Sequence, residues 1–331
     1  VHSPGIVPGG VAEPMTEETR ATLLAGLEEA HETATMALEL FLGIIDRFDR
    51  EVRAFGKFPS YYLGTANGTG SWEYYDGHLM VIDNDGAVVA DDVAFADYRT
   101  LIGESSNKDS YLKSPYFKPA VTSDDDIAAG MYRVGPLARL NLAERMGSPA
   151  ADAALAEFKD RAGGVADSSF FFHSARLIEI LAGTEQMRTF LENDNILDTN
   201  VRAQAGVNHQ RAVGVSEAPR GTLFHEYQTD ANGLVEDVNM IIATGQNNLA
   251  MNATVHAIAQ EYIDGPEIPE PILNRLEAGI RAFDPCLSCS THAIGQMPMV
   301  VTLEDAHGEV ICERIRDDHD HHHDHEHDHE H

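Results

Sequence analysis

The sequence predicts a mainly α protein with small β-sheets, an α+β chain, on three observations. Apolar residues recur at three- and four-residue spacing from Leu23 to Phe48 and again from Phe171 to Phe190, the period of helices that bury one face. Short apolar stretches elsewhere flank Asp85-Gly86 and Asn232-Gly233, dipeptides that close tight hairpins. No internal repeat is visible, and 331 residues suffice for one large domain or two ordinary ones.

The first helix should open at Thr16, an N-cap followed by Glu17 and Glu18, whose charges complement the helix dipole. Leu27, Ala30, Ala34, Leu38, Phe41, Ile45 and Phe48 then carry one amphipathic helix to about Ala54. From residue 61 to 90 the pattern shortens, and residues 72–75, 79–82 and 87–90 read as strands. Residues 91–128 are polar, with scattered aromatics and prolines, and are expected to be irregular. Helical spacing returns over 150–161 and 168–192, and 213–244 reads as two strands about Ala231-Asn232-Gly233. Two short helices follow, 248–262 and 272–283. The second should stop before Pro285, because a residue preceding proline is pushed out of the helical region. Residues 299–311 read as a hairpin.

Composition narrows the function. Hydrophobic content of 43% is that of an ordinary soluble protein. No apolar run approaches the length of a membrane span, and no signal-like segment is visible at the start. The formal charge is −31, with five lysines against 54 acids. Nucleic acid and anionic membrane surfaces reward Lys and Arg, so neither is an expected partner. Three cysteines argue against a disulfide framework and fit a reducing compartment.

Two of those cysteines fall in Asp284-Pro285-Cys286-Leu287-Ser288-Cys289-Ser290-Thr291-His292. Two thiolates and an imidazole so close together have metal-ligand spacing, and thiolates select zinc, nickel, copper or iron. No second Cys-x-x-Cys closes a zinc site. The sphere is incomplete. Either further ligands come from elsewhere, or the pair is a redox dithiol, for which no βαβ context is legible.

Asp-Pro-Cys-x-x-Cys-x-x-His, continuing Ala293 to Pro298, resembles the C-terminal nickel-binding motif of [NiFe]-hydrogenase large subunits. Phe58-Pro59-Ser60-Tyr61-Tyr62, the stretch from Tyr132 to Arg139, Ala218-Pro219-Arg220-Gly221, and the stretch from Ile242 to Asn248 resemble blocks of the same family in the same order. The resemblance runs from about the first residue to Arg314. It is nearest to the cytoplasmic, multimeric branch and, within it, to NAD-reducing (bidirectional) enzymes.

That resemblance implies a helical-bundle core and a Ni-Fe centre whose iron carries CO and CN ligands. It makes Cys286 a terminal nickel ligand and proton acceptor, and Cys289 a bridge between nickel and iron. Arg220 would lie over the open coordination position, held by Asp284 in a charge-assisted pair. Thr244 would donate to a cyanide, with Pro219 and Ala243 shaping an apolar wall. Cys286 and Cys289 are expected together beside Arg220 at a buried face. His292 resembles the last residue of the mature subunit, near a Mg or Fe ion. Residues 1–292 would then form the hydrogenase fragment, 293–316 an extension removed on maturation, and 317–331 a disordered tail. Implied partners are an Fe-S small subunit, flavin-containing diaphorase subunits that hold FMN, a maturation endopeptidase and nickel-insertion proteins.

One departure matters. The family binds nickel with four cysteines, two of them from an Arg-x-Cys-Gly-x-Cys motif, and no cysteine precedes Cys286 here. The chain opens on Val1-His2-Ser3-Pro4. The expectation is that about the N-terminal third of the parent is absent, or that the first motif lies on another polypeptide. This chain alone should not assemble the centre.

Three rival readings stand beside this one. A related hydrogenase could feed NADP or a heterodisulfide reductase. A non-catalytic scaffold would resemble the quinone-site subunit of complex I, against which Cys286, Cys289 and His292 argue. A metal-handling protein would work through residues 317–331, where eight histidines alternate with seven acids. Those imidazoles could hold nickel or zinc loosely, or form a solvated end. His173 and His225 read as core or partner-facing residues, and Cys312 as incidental.

Overall fold

The computed structural model describes residues 5–107, 110–123, 125–204, 209–286 and 299–316. Two short antiparallel strands, β1 (Ile6–Val7) and β2 (Gly10–Val11), precede the long helix α1 (Glu17–Arg47). Thr16 caps α1 as expected, its Oγ1 accepting the Thr19 amide at 3.1 Å. The helix does not run unbroken to Ala54. Phe48 leaves the helical region at φ −125°, and α2 (Asp49–Ala54) resumes beyond it.

A four-stranded sheet follows, built on β3 (Tyr61–Ala66), β4 (His78–Ile82) and β5 (Val88–Val93). The expected strand at 72–75 is absent. Glu73 Oε1 accepts the amides of Tyr74, Tyr75 and Asp76 at 2.9, 2.9 and 3.1 Å, which folds the segment into a turn. Strand β3 escapes a sequence reading because nearly all of it is buried on both faces, leaving no alternation. The expected irregular stretch contains a hairpin, β6 (Ile102–Asn107) and β7 (Ser110–Phe117). Its polar sequence hides it, since buried Ile102 and Phe117 lie at its far ends.

Strand β8 (Tyr132–Arg133) joins β3 in parallel and leads through Gly135 into α3 (Pro136–Leu142). Helices α4 (Pro149–Ala162) and α5 (Phe171–Glu192) pack with α1 as a bundle. Leu38, Ile45, Leu155, Phe158, Phe172 and Ile178 are part of its core. Three strands then form a meander, β9 (Arg211–Ala218), β10 (Gly221–Thr229) and β11 (Val235–Ile241), where two were expected. The turn at Asn232-Gly233 stands where the sequence put it. The unexpected turn is the two-residue loop Pro219-Arg220, since Ala218 pairs with Gly221.

The chain continues as α6 (Ala243–Gln246), α7 (Asn248–Tyr262) and α8 (Glu270–Ala282). The last hairpin, β12 (Met299–Glu304) and β13 (Val310–Arg316), lays Met299, Val301, Leu303 and Cys312 against Ile258, Ile268 and Leu276. Residues expected to form a removable extension therefore share a core with α7 and α8. The fold is mainly helical with small sheets, and no helix among the described residues is long and apolar enough to cross a membrane.

Candidate metal centre

Three segments far apart in sequence meet at one face: the loop Pro219-Arg220, the start of α6 at Thr244, and the chain leaving α8. Arg176 Nη2 donates to the Ala282 carbonyl at 3.0 Å, a cation on the helix end that welcomes one. Phe283 packs against Phe172 with the rings tilted and their centroids 4.6 Å apart. Asp284 then adopts φ +51°, a left-handed conformation costing roughly 1–2 kcal/mol for most residues and tolerated best, after glycine, by Asn and Asp. That turn ends the helix and delivers Pro285 and Cys286 to the face.

Arg220 Nε lies 3.0 Å from Asp284 Oδ2 and donates also to the Asp284 carbonyl. The Cys286 amide donates to Thr244 Oγ1 at 3.3 Å. Thr244 and Ala243 are buried, whereas Pro219 is exposed. The face is thus half-open rather than buried, with side-chain exposures of 35% for Arg220 and 46% for Asp284. The reason is local: Arg220 sits at the tip of a two-residue hairpin, which projects from its sheet. An ion pair so exposed contributes about 0–1 kcal/mol to stability, so its effect is chiefly on orientation.

The backing of this face involves residues to which the sequence assigns no individual role. Tyr132 Oη donates to Gln246 Oε1 at 3.0 Å, Gln246 Nε2 donates to the Thr222 carbonyl, and the Val134 amide donates to Asn247 Oδ1 at 3.0 Å. These bonds lock the α6 region to the turn after β8 and to β10. Arg139, only 4% exposed, donates to both oxygens of Glu179 at 2.6 and 2.7 Å and to Glu217 Oε2 at 2.9 Å. It also donates to the carbonyls of Ala218 and Pro219 at 2.9 and 3.0 Å. In the sequence Arg139 is only the last residue of a family block, and its partners lie 40 to 80 positions away. Two glycines let the backbones touch. A Cβ on Gly221, at φ +144°, would fall 2.2 Å from Val134 Cγ2, and one on Gly135, at φ +90°, would fall 2.7 Å from the Arg220 carbonyl oxygen.

Behind the face, His173, which the sequence reads as a core or partner-facing residue, lies partly buried against the rings of Phe41 and Phe170. Burial, with Arg176 adding repulsion, lowers its pKa to about 4. His225 shares a hydrogen bond with the Tyr227 hydroxyl at 3.2 Å.

Cys289 and His292 lie outside the described residues, and so does the tail. Among the described residues no cluster of three His, Cys, Asp or Glu forms a metal site. What these residues fit is one wall of a metal centre: a cysteine, a fixed cation and a buried hydroxyl.

Known proteins resemble this chain over most of its length. The family profile described as nickel-dependent hydrogenase matches residues 71–292. One chain of the vhc F420-non-reducing hydrogenase of Methanococcus voltae is 38% identical over 314 residues, which is 93% of this chain and 65% of that protein. NAD-reducing hydrogenase HoxS subunit beta of Cupriavidus necator is 35% identical over 326 residues, 96% of this chain and 66% of that one. The crystal structure of a NAD+-reducing [NiFe]-hydrogenase in the H2-reduced state superposes with a TM-score of 0.80 at 35% identity, covering 86% of this chain and 62% of that one. The chain thus spans a little under two thirds of the length of the relatives it matches.

Proposed function

The chain belongs to the nickel-dependent hydrogenase family, and on that premise we propose that it is the catalytic part of a [NiFe]-hydrogenase large subunit, converting H2 reversibly to protons and electrons. The observation that carries this reading is the meeting of Arg220, Asp284, Cys286 and Thr244 at one face.

When bound, a nickel–iron centre supplies the heterolytic cleavage of H2, a molecule too apolar and too weakly acidic for side chains alone. The thiolates of Cys286 and Cys289 would hold it, with other donors from an Arg-x-Cys-Gly-x-Cys segment that this sequence lacks. Cys286 Sγ would take the proton, since a thiolate is basic enough to accept it and metal binding keeps it from being a strong base at rest. Arg220, its Nε turned to Asp284, keeps other N–H groups to donate to an anionic ligand such as a cyanide. The Thr244 hydroxyl, which accepts from the Cys286 amide, has a hydrogen of its own to donate to a second. Pro219 and Ala243 would shape the apolar wall, and His292 would help hold a Mg or Fe ion.

Electrons would leave through an Fe-S small subunit, because this chain lacks the cysteines for a cluster. A flavin-containing partner would pass them to NAD in the cytoplasm. Likeness to NAD-reducing enzymes supports that acceptor. Slightly higher identity to an F420-non-reducing enzyme favours a second reading, with another acceptor such as NADP or a heterodisulfide reductase. Residues beyond His292 would be cut away by an endopeptidase after nickel loading.

The test is hydrogen-dependent reduction of a viologen dye by the full-length parent, expressed with maturation proteins and its small subunit. Absence of dye reduction would sink the hydrogenase reading. Dye reduction without NAD reduction would sink only the acceptor.

A further inference from the structure

We propose that Arg139 is a positioning residue for the proposed hydrogen chemistry, acting through Arg220 by holding the backbone of its hairpin loop. This rests on the reading of Arg220 given above. A guanidinium has five N–H donors in a fixed fork, and all five of Arg139 are engaged. Three go to carboxylate oxygens and two to the carbonyls of Ala218 and Pro219, the two residues immediately before Arg220.

The anchor is itself rigid. Glu217, whose side chain is fully buried, takes further bonds from the Thr65 amide and hydroxyl and from the Thr222 hydroxyl at 2.9, 3.1 and 2.6 Å. Glu179 takes one from the Trp72 indole at 3.0 Å. Pro219 fixes one backbone dihedral of the two-residue loop. With both preceding carbonyls pinned, few rotations remain for the Arg220 backbone, and its side chain emerges toward Asp284. Lysine cannot replace this arrangement, since an ammonium has three donors on a flexible stem and no planar fork.

The experiment compares Arg139→Lys with Leu155→Ala, a destabilising core substitution in α4 away from the hairpin. In protein labelled with 15N at arginine, solvent exchange of the Arg220 Nε–H is followed. Arg139→Lys should speed that exchange about tenfold or more, the equivalent of one lost charge-assisted bond, while Leu155→Ala should not. In the holoenzyme, Arg139→Lys should lower kcat with nickel content and KM for H2 unchanged. Added to Arg220→Lys, it should cost nothing further, because both act through one group. Unchanged exchange in Arg139→Lys overturns the proposal, and so do losses that multiply in the double variant. If Arg139→Lys does not fold, Glu179→Gln reads the same exchange with a milder loss. The exchange measurement stands whether or not the protein oxidises hydrogen, so failure of the positioning role and failure of the hydrogenase reading are told apart.

Discussion

Arg220 grips Asp284 twice through one nitrogen, at the carboxylate and at the backbone carbonyl, although the two lie 64 positions apart in the chain. That contact ties the tip of the β9–β10 hairpin to the end of α8. The residue it steadies, Asp284, is the one whose left-handed turn presents Cys286.

Replacing Arg220 by Lys should keep the metals and lose most of the rate. A flexible ammonium restores the charge but not the fixed planar donor. A fall in kcat on the order of a hundredfold is expected, the scale of one lost preorganised donor. Metal analysis beside steady-state kinetics checks both halves.

Thr244→Val should destabilise the face without altering its shape. It removes the acceptor of the part-buried Cys286 amide, and a typical hydrogen bond contributes about 0.5–1.5 kcal/mol. Thr244→Ser keeps the oxygen and should unfold close to the unaltered protein. Denaturant titration of the three proteins separates them.

Gly221→Ala should loosen the hairpin from β8. Its φ of +144° strains any side chain, and the new methyl would sit 2.2 Å from Val134 Cγ2. A loss of about 1–3 kcal/mol is expected for the backbone strain alone. Adding Val134→Ala removes the Cγ2 contact but leaves Cβ 2.7 Å away, so it should recover only part of the steric cost, and the double variant still loses less than the sum of the singles. Strict additivity would argue that the contact is not felt.

Much of the helical frame is legible in the sequence, and much of the site's support is not. Asn248–Tyr262 has the bounds that its spacing predicts, and Thr16 caps α1 because its neighbours offer the right chemistry. The Pro219-Arg220 turn lacks the Asn-Gly or Asp-Gly signature of hairpins, so two strands read as one. Arg139 is illegible for another reason: what makes it important is the meeting of Glu179 and Glu217 around it, a tertiary fact with no local spacing. The family blocks carry Arg220, Thr244 and Cys286 to one site, where periodicity has nothing to say.

Acid should weaken the fold through His173. Burial and then Arg176 hold its pKa near about 4, below the ordinary value of 6.5. Between those values the unfolded chain takes up a proton that the native state refuses, so stability falls as pH drops from about 6.5 toward 4. His173→Phe, set between Phe41 and Phe170, should flatten that stretch of the curve. Equal losses in both proteins would assign the acid sensitivity elsewhere.

The most direct measurement is nickel content together with hydrogen oxidation in the full-length parent, purified with its small subunit, unaltered and as Cys286→Ser. A hydroxyl is a poor nickel ligand near neutral pH, where its alkoxide is inaccessible. The unaltered enzyme should hold nickel and reduce a viologen dye with H2, and Cys286→Ser should do neither. Nickel and full activity retained in Cys286→Ser, or an unaltered enzyme with no nickel at all, would contradict the assignment of this face as a metal centre.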